Sequence, residues 1–206
     1  MSESAVPLFV GTCLYQTAEA ATSASMVRLS LNVPKNVSTF GMAVLRGYGV
    51  CRNLDQLYDQ ALAAMPDDGV LIYHDHDISY DPEDVQALVA EHQRLVALGQ
   101  NAIIGALYHH STERNTVVGS IVRGAEWIRA EHSVEAQRLG FGFILIPLAL
   151  IRQMKKPRAA EEWDGVELIT QDTVFCERAR AAGYPPRAMI LQGVRHRCVY
   201  WRSMNE

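Results

Sequence analysis

The chain has 206 residues and a formal net charge of -4, enough for one self-supporting domain and no source of general attraction to nucleic acid or an anionic membrane. Its four cysteines, Cys13, Cys51, Cys176 and Cys198, form no Cys-x-x-Cys pair, which argues against a zinc ribbon or redox motif and predicts reduced, buried thiols. Met1 to Val10 shows no leader pattern, and no stretch reaches the roughly twenty apolar residues of a membrane span, so a soluble, cytoplasmic protein is expected.

In chain order, Val6 to Thr12 reads as an apolar strand ending near Gly11, and Thr17 to Leu31 carries Ala, Met and Leu at helical spacing. Thr39 to Arg46 predicts a second strand. Asn53 to Met65 places Leu54, Leu57, Tyr58, Ala61 and Leu62 on one face and stops at Pro66, a helix. Gly69 to Tyr73 is a continuous apolar run of the kind buried on both faces of a parallel sheet. After it, Asp81 as cap and Pro82 in the first turn open a helix that runs with period through Val85, Leu88, Val89, Leu95 and Leu98 to Gly99. Asn101 to Leu107 is another apolar strand.

The second half is less regular. Strands are expected near Thr116 to Val122 and Ser133 to Leu139, a helix from Ile146 to Met154, a polar loop from Lys155 to Gly165, and a helix from Thr170 to Ala182 closed by Gly183 and followed by Pro185 and Pro186. Alternating strands and helices predict an α/β layer architecture, a mainly parallel sheet flanked by helices, in one domain without repeats.

The most informative segment is His74-Asp75-His76-Asp77, which follows a buried strand and so falls at the carboxyl end of the sheet, where ligand sites of open α/β folds gather. Carboxylates one residue apart there can reach a common hard cation, magnesium or manganese. A polar turn with an aspartate cap is the plain alternative.

Several stretches, in order, resemble glycosyltransferases of the GT-A fold, of the family 2 type. They are Arg52-Asn53 opening a helix, Asp75-His76-Asp77 after a strand, the strand Ala102 to Leu107, Gly140-Phe141-Gly142 before an apolar run, Gln171-Asp172 before Phe175-Cys176, and His196. The resemblance is to a compact, single-domain phage or bacterial member, with residues 1–110 binding a nucleotide-sugar and 111–206 supplying the acceptor and catalytic half.

The resemblance implies Asp77 and His196 as ligands of Mn2+ or Mg2+, with Asp75 on metal or ribose. It implies Thr12, Arg52, His76, Gly140, Phe141 and Gly142 on the donor side, the donor being a nucleotide-sugar, most commonly a UDP-sugar. Asp172 matches the base that removes the acceptor proton in inverting members, although Gln171 stands where an acidic neighbour is usual. The same position also suits an aspartate complementing a helix dipole. An ordinary strand-end role is the alternative for Thr12, as are turn or bulge roles for the glycines.

Trp127 and Trp163 are candidates for stacking on a sugar, Trp163 from the loop ending at Gly165, with ordinary packing as the alternative. Arg178, Arg180, Arg187, Arg195, Arg197 and Arg202 make the C-terminal stretch locally basic and able to face an anion, DNA included. The acceptor itself is open among polysaccharide, protein, lipid and hydroxymethylated DNA base.

Two other classes stand beside this one. His74-x-His76 is also a strand-end pattern of metal-dependent hydrolases, but the metallo-β-lactamase type needs an Asp and a His where Ile78 and Ser79 stand, and the amidohydrolase barrel needs about 250 residues. A non-catalytic nucleotide-sugar or carbohydrate binding module would fit a chain lacking Asp77 or Asp172, and both are present.

Overall fold

The computed structural model describes residues 5–14, 19–47, 49–109, 117–118, 120–121 and 132–196. Strand β1 (Val6–Leu14) is buried from Val6 to Cys13, as a strand covered on both faces must be. Helix α1 (Ala20–Leu31), strand β2 (Val37–Arg46) and helix α2 (Val50–Ala64) follow. Of the apolar face predicted for α2, Leu54, Leu57, Tyr58 and Ala61 are fully buried and Leu62 partly so, and the face packs so tightly on β1 that a Cβ on Gly11 would lie 2.4 Å from Leu57 Cδ1. Any larger residue at Gly11 would require the Leu57 side chain to shift.

Strand β3 (Val70–Asp75) runs into the short β4 (Ile78–Ser79) through a turn at His76 and Asp77. Helix α3 (Pro82–Ala97) starts as predicted, with Pro82 in its first turn and Glu83 and Asp84 favouring its positive end. Gly99, at φ 71°, ends it in the left-handed conformation open to glycine. Then come β5 (Ile103–His109), β6 (Val117–Val118), β7 (Ser120–Ile121), β8 (Val134–Glu135), β9 (Arg138–Leu139), β10 (Phe143–Pro147) and α4 (Leu148–Gln153). The chain continues through β11 (Glu162–Trp163), β12 (Leu168–Ile169), α5 (Gln171–Ala181), β13 (Pro186–Ile190) and β14 (Arg195–His196).

The central sheet has the order β2-β1-β3-β10-β5-β13-β8, with β6 added on β5. β2, β1, β3, β5 and β13 run one way, and β10 runs against both its neighbours, as β8 does against β13. Helices α1 and α3 cover one face, packing Leu29, Val85, Leu88 and Val89 on Val10, Ile72 and Ile104. Helices α2, α4 and α5 cover the other with Leu57, Ile151 and Phe175 on Phe9, Leu71 and Ile144. Each such buried side chain contributes about 1.5–3 kcal/mol. This is the expected mainly parallel sheet between helices, with small antiparallel pairs in the second half.

The differences from expectation are local. Phe143 to Pro147 forms a strand, so the helix expected from Ile146 begins at Leu148, and the single strand expected from Ser133 to Leu139 is two short ones broken at Ala136 and Gln137. Pro186 does not merely end a helix but opens β13, where a missing N–H is tolerated and its carbonyl accepts from Ala136 N–H at 2.9 Å. The polar loop from Lys155 is anchored, because Arg158, 7% exposed, binds Asp59 at 3.0 Å and the Ile151 carbonyl at 3.0 Å, and the segment ends as strand β11. Thr17, Trp127, His110, Arg197, Cys198 and Arg202 lie outside the described residues, as do Thr116, Gly119 and Val122 of the strand region expected there.

The edge at β8 is held by charge. Buried Glu91 of α3 accepts from Ser133 N–H at 3.0 Å, from the Ser133 hydroxyl, and from Arg94 at 2.7 and 2.8 Å, while Arg187 of β13 donates to Ser133 Oγ at 2.8 Å. Burial alone would push the Glu91 carboxyl up, but Arg94 and Ser133 together hold it down at about 2, against an ordinary 4.5. A depressed carboxyl contributes stability above its unfolded value, and that contribution is lost as pH falls toward the folded one. Glu91→Gln is therefore expected to be less stable than the parent at neutral pH, with the gap closing as pH drops from 4.5 toward 2; a gap in unfolding free energy that stays constant across that range would contradict the assignment.

Candidate functional site

Because β3 is apolar from Val70 to Tyr73 and then abruptly polar, its last residues must emerge over the carboxyl edge of the sheet. Alternation divides them between the two faces. Tyr73 and Asp75 point toward the α2 and α5 side, and the Tyr73 hydroxyl donates to Asp75 Oδ1 at 2.6 Å. His74 points the other way, fully buried against Tyr80, which in turn packs on Phe143, with Nδ1 donating to the Asp75 carbonyl at 3.0 Å and Nε2 facing the Tyr80 hydroxyl at 3.4 Å. Burial pushes the His74 imidazole down to about 4, so it is neutral at physiological pH. His74 is thus a neutral core histidine packed on Tyr80, while His76 is half-buried in the turn that follows.

Asp75 is half-buried, and burial raises its carboxyl to about 6 despite the Tyr73 hydrogen bond that opposes the rise, with the neighbouring Asp77 charge adding to it. Asp77 sits in the turn. There β14 pairs antiparallel with β4, Arg195 opposite Ser79 and His196 opposite Ile78, and sets His196 Nε2 3.2 Å from Asp77 Oδ2. The Asp77 hydrogen bond lifts the His196 imidazole above its ordinary range, while burial, which pushes Asp77 up, is outweighed by His196 so that Asp77 falls below the usual carboxylate value. The three residues expected to share an ion thus gather at one edge. Among the described residues, no set of three or more His, Cys, Asp or Glu side chains stands in a geometry able to hold a metal by itself.

The reversed direction of β10 decides where Gly140, Phe141 and Gly142 lie. An antiparallel strand enters at the edge where its parallel neighbours leave, so the residues before it come to the end of β3, and Gly142 C=O accepts from Asp75 N–H at 3.0 Å. Phe141, 6% exposed, lies against Tyr73 at 6.2 Å between ring centroids and edge-on to Phe175 of α5 at 5.1 Å. Neither Gly140 nor Gly142 has positive φ. Phe175 is three residues after Asp172, one turn along the same helix face. Asp172 is half-buried in the first turn of α5, where Oδ1 accepts from Thr173 N–H at 2.8 Å and from the Thr170 hydroxyl. That is also what an aspartate at a helix start does.

Arg52 is exposed on the first turn of α2, which carries no acidic residue and is capped only by Gly49. The neighbouring Asn53 is 1% exposed, and its Nδ2 has no hydrogen-bond partner among the described residues. Thr12 pairs in register with His74, is fully buried, and its hydroxyl has no partner among the described residues. His76, half-buried in the turn, offers its carbonyl to Glu19 N–H at 3.1 Å. Trp163, 66% exposed, pairs across the β11–β12 hairpin with Leu168, 55% exposed. Of the basic C-terminal residues, Arg178 binds Glu162 at 2.6 Å, Arg180 the Gln137 carbonyl at 2.6 Å, and Arg187 Ser133, so these three serve the fold itself.

No family model matches the chain, and no curated protein does. Solved structures do. A197 from STIV superposes with TM-score 0.60 at 17% identity, covering 94% of this chain and 86% of that one. GalNAc-T7 with UDP, GalNAc and Mn2+ gives TM-score 0.63 at 10% identity, over 95% of this chain and 44% of that one. S. aureus TarS 1-349 with UDP-GlcNAc gives 0.59 at 10%, over 95% and 60%. The shared feature is the GT-A fold. The chain spans about half the length of these last two proteins. Among the described residues no helix is long and apolar enough to cross a membrane.

The aromatic contact under the carboxylates carries a measurable cost. Phe141→Ala removes the ring lying between Tyr73 and Phe175, and a loss of about 3–5 kcal/mol in denaturant unfolding is expected. A loss below about 1 kcal/mol, the range of a surface substitution, would show that the ring is not a packing element there.

Proposed function

We propose that the chain is a glycosyltransferase that moves a sugar from a nucleotide-sugar, a UDP-sugar by preference, to an acceptor hydroxyl with inversion at the anomeric carbon. The observation that supports this most is the pairing of β14 with β4, which sets His196 against Asp77 beside Asp75 at the carboxyl edge of a GT-A sheet. GalNAc-T7, on the same fold, was solved with UDP and Mn2+, and TarS with UDP-GlcNAc.

Asp77 and His196, with Asp75 on the ion or the ribose, would hold Mn2+ or Mg2+. Such ions take one or two protein carboxylates and fill the remaining positions with water and substrate phosphate, so a protein set smaller than a full cage fits the role. When bound, the ion supplies positive charge across the two phosphates of the leaving nucleoside diphosphate. Arg52 adds a guanidinium to those oxygens from the unopposed N-terminal turn of α2, with the Asn53 amide beside it. His76, Gly140, Phe141 and Gly142 shape the donor side around β3, and Thr12 closes the nucleoside end of β1.

Asp172 is the base. Among the described residues both of its hydrogen bonds fall on Oδ1, and Oδ2 is the oxygen that takes the acceptor proton. As that proton moves, the acceptor oxygen bonds the anomeric carbon from the face opposite the diphosphate, and the electron pair of the breaking bond leaves with UDP. The acceptor hydroxyl belongs to a polysaccharide, protein, lipid or hydroxymethylated DNA base, and the work site is the cytoplasm of a bacterial or phage-infected cell.

Assaying a set of nucleotide-sugars for release of nucleoside diphosphate tests the reading. Release is expected with Mn2+ or Mg2+ and not with chelator, and Asp77→Asn and Asp172→Asn should each lower turnover by about 10²–10⁴-fold while the folded spectrum persists. Full activity in either variant would remove that residue from its role, and chelator-insensitive release would remove the ion.

A further inference from the structure

We infer that Asp84 is a positioning residue: its buried carboxylate latches Gly193 and thereby sets His196 beside Asp77. The inference rests on the ion-binding reading of that pair given above.

The pairing of β14 with β4 is a ladder of two residues on each side. A ladder that short does not persist in water on its own. Something else must hold the chain there, and a buried polar contact does so. Asp84 Oδ1 accepts from Gly193 N–H at 3.1 Å, and Gly193 lies two residues before β14. The other oxygen, Oδ2, accepts from Asp81 N–H at 2.9 Å, completing the capping box of α3.

Three features separate this from ordinary capping. A capping box needs one carboxylate oxygen at the water-exposed start of a helix, yet Asp84 is 6% exposed and uses both. Burial raises its carboxyl, a cost that capping alone does not require. The fit is also close on the far side: a Cβ on Gly193 would lie 2.2 Å from Asp84 Oδ2 and 2.9 Å from Asp81 Oδ2, so any larger residue would have to displace these carboxylates. Leu191 and Val194, flanking Gly193, are buried in the same core as Val85 and Leu88.

The fixed end of the latch is itself braced. Arg28 of α1 pairs with Asp81 at 3.2 Å and donates to the Tyr80 carbonyl at 3.1 Å, while Tyr80 N–H donates to Ser25 Oγ at 2.9 Å. The junction of β4 and α3 is thus tied to α1, and Asp84 transmits that rigidity to the strand bearing His196.

The test uses hydrogen exchange on the whole chain together with titration of Mn2+ alone, free ion being read by its paramagnetic resonance. Asp84→Ala is expected to speed exchange at residues 78–79 and 195–196 by about 100-fold while β3 and β5 stay within about threefold of the parent. Its affinity for Mn2+ should fall by about tenfold, the usual effect of losing an outer-shell support. Asp84→Asn, which keeps one acceptor, should fall between, and Gly193→Ala should match Asp84→Ala from the opposite side of the contact and serves should that variant fail to fold. Val89→Ala, a core truncation on the same helix, should lower the melting temperature and leave both readings unchanged. Parent-like exchange and Mn2+ affinity in Asp84→Ala and Gly193→Ala would overturn the inference. Parent-like Mn2+ binding in Asp77→Asn would instead sink the ion-binding reading, with the exchange data still deciding whether the latch exists.

Discussion

Everything at the carboxyl edge follows from the way β3 ends. A strand buried on both faces has no room for charge until it leaves the sheet, so Asp75 must sit where water is scarce but the edge begins. The Tyr73 hydroxyl on its own face meets part of the need. The peptide of Gly142 fixes the backbone on the neighbouring strand. The carboxyl is still left near 6, a group poised to gain from any positive charge that comes within a few ångströms of it. His74, one residue earlier and pointing the other way, shows the alternative outcome: burial with a tyrosine neighbour and no charge.

The rest of the edge is assembled around that strand by elements distant in sequence. β10 reverses direction inside an otherwise parallel stretch and so brings the Gly140 to Gly142 turn to the carboxyl edge of β3 rather than the opposite one. Phe141 then links Tyr73 to Phe175, and through one helical turn to Asp172, by ring contacts on the α5 side of the sheet. An aromatic chain of this kind keeps the first turn of α5 in a constant relation to the end of β3.

Much of this was legible in the residues. β1, α2, β3 and α3 carry their own signals, a continuous apolar run or a clean helical face, and each formed where those signals lay. The later elements did not, for identifiable reasons. Phe143 to Pro147 is apolar and passes without a break into Leu148 and Leu150, so strand and helix merge in the pattern. Pro185 and Pro186, following the helix closed by Gly183, masked the strand that begins there, although a proline at the first position of a strand gives up only one donor. Asp75 and Asp77 announced themselves by their place after a buried strand, whereas the partnership of His196 came from resemblance, since no local pattern links it to a turn so far back. Asp84 stands beside Glu83 in a first helical turn, and nothing in its sequence neighbourhood points to Gly193.

The pairing of β14 with β4 has a further consequence for how the molecule comes together. A contact between chain segments so widely separated carries a large loop-closure entropy and forms only after the sheet it leans on exists. Its ladder is also short enough to open without disturbing β1, β3 or β5. Forming the central sheet and closing the β14–β4 pair are therefore separable events, and a population with the sheet complete can contain molecules in which that pair is open.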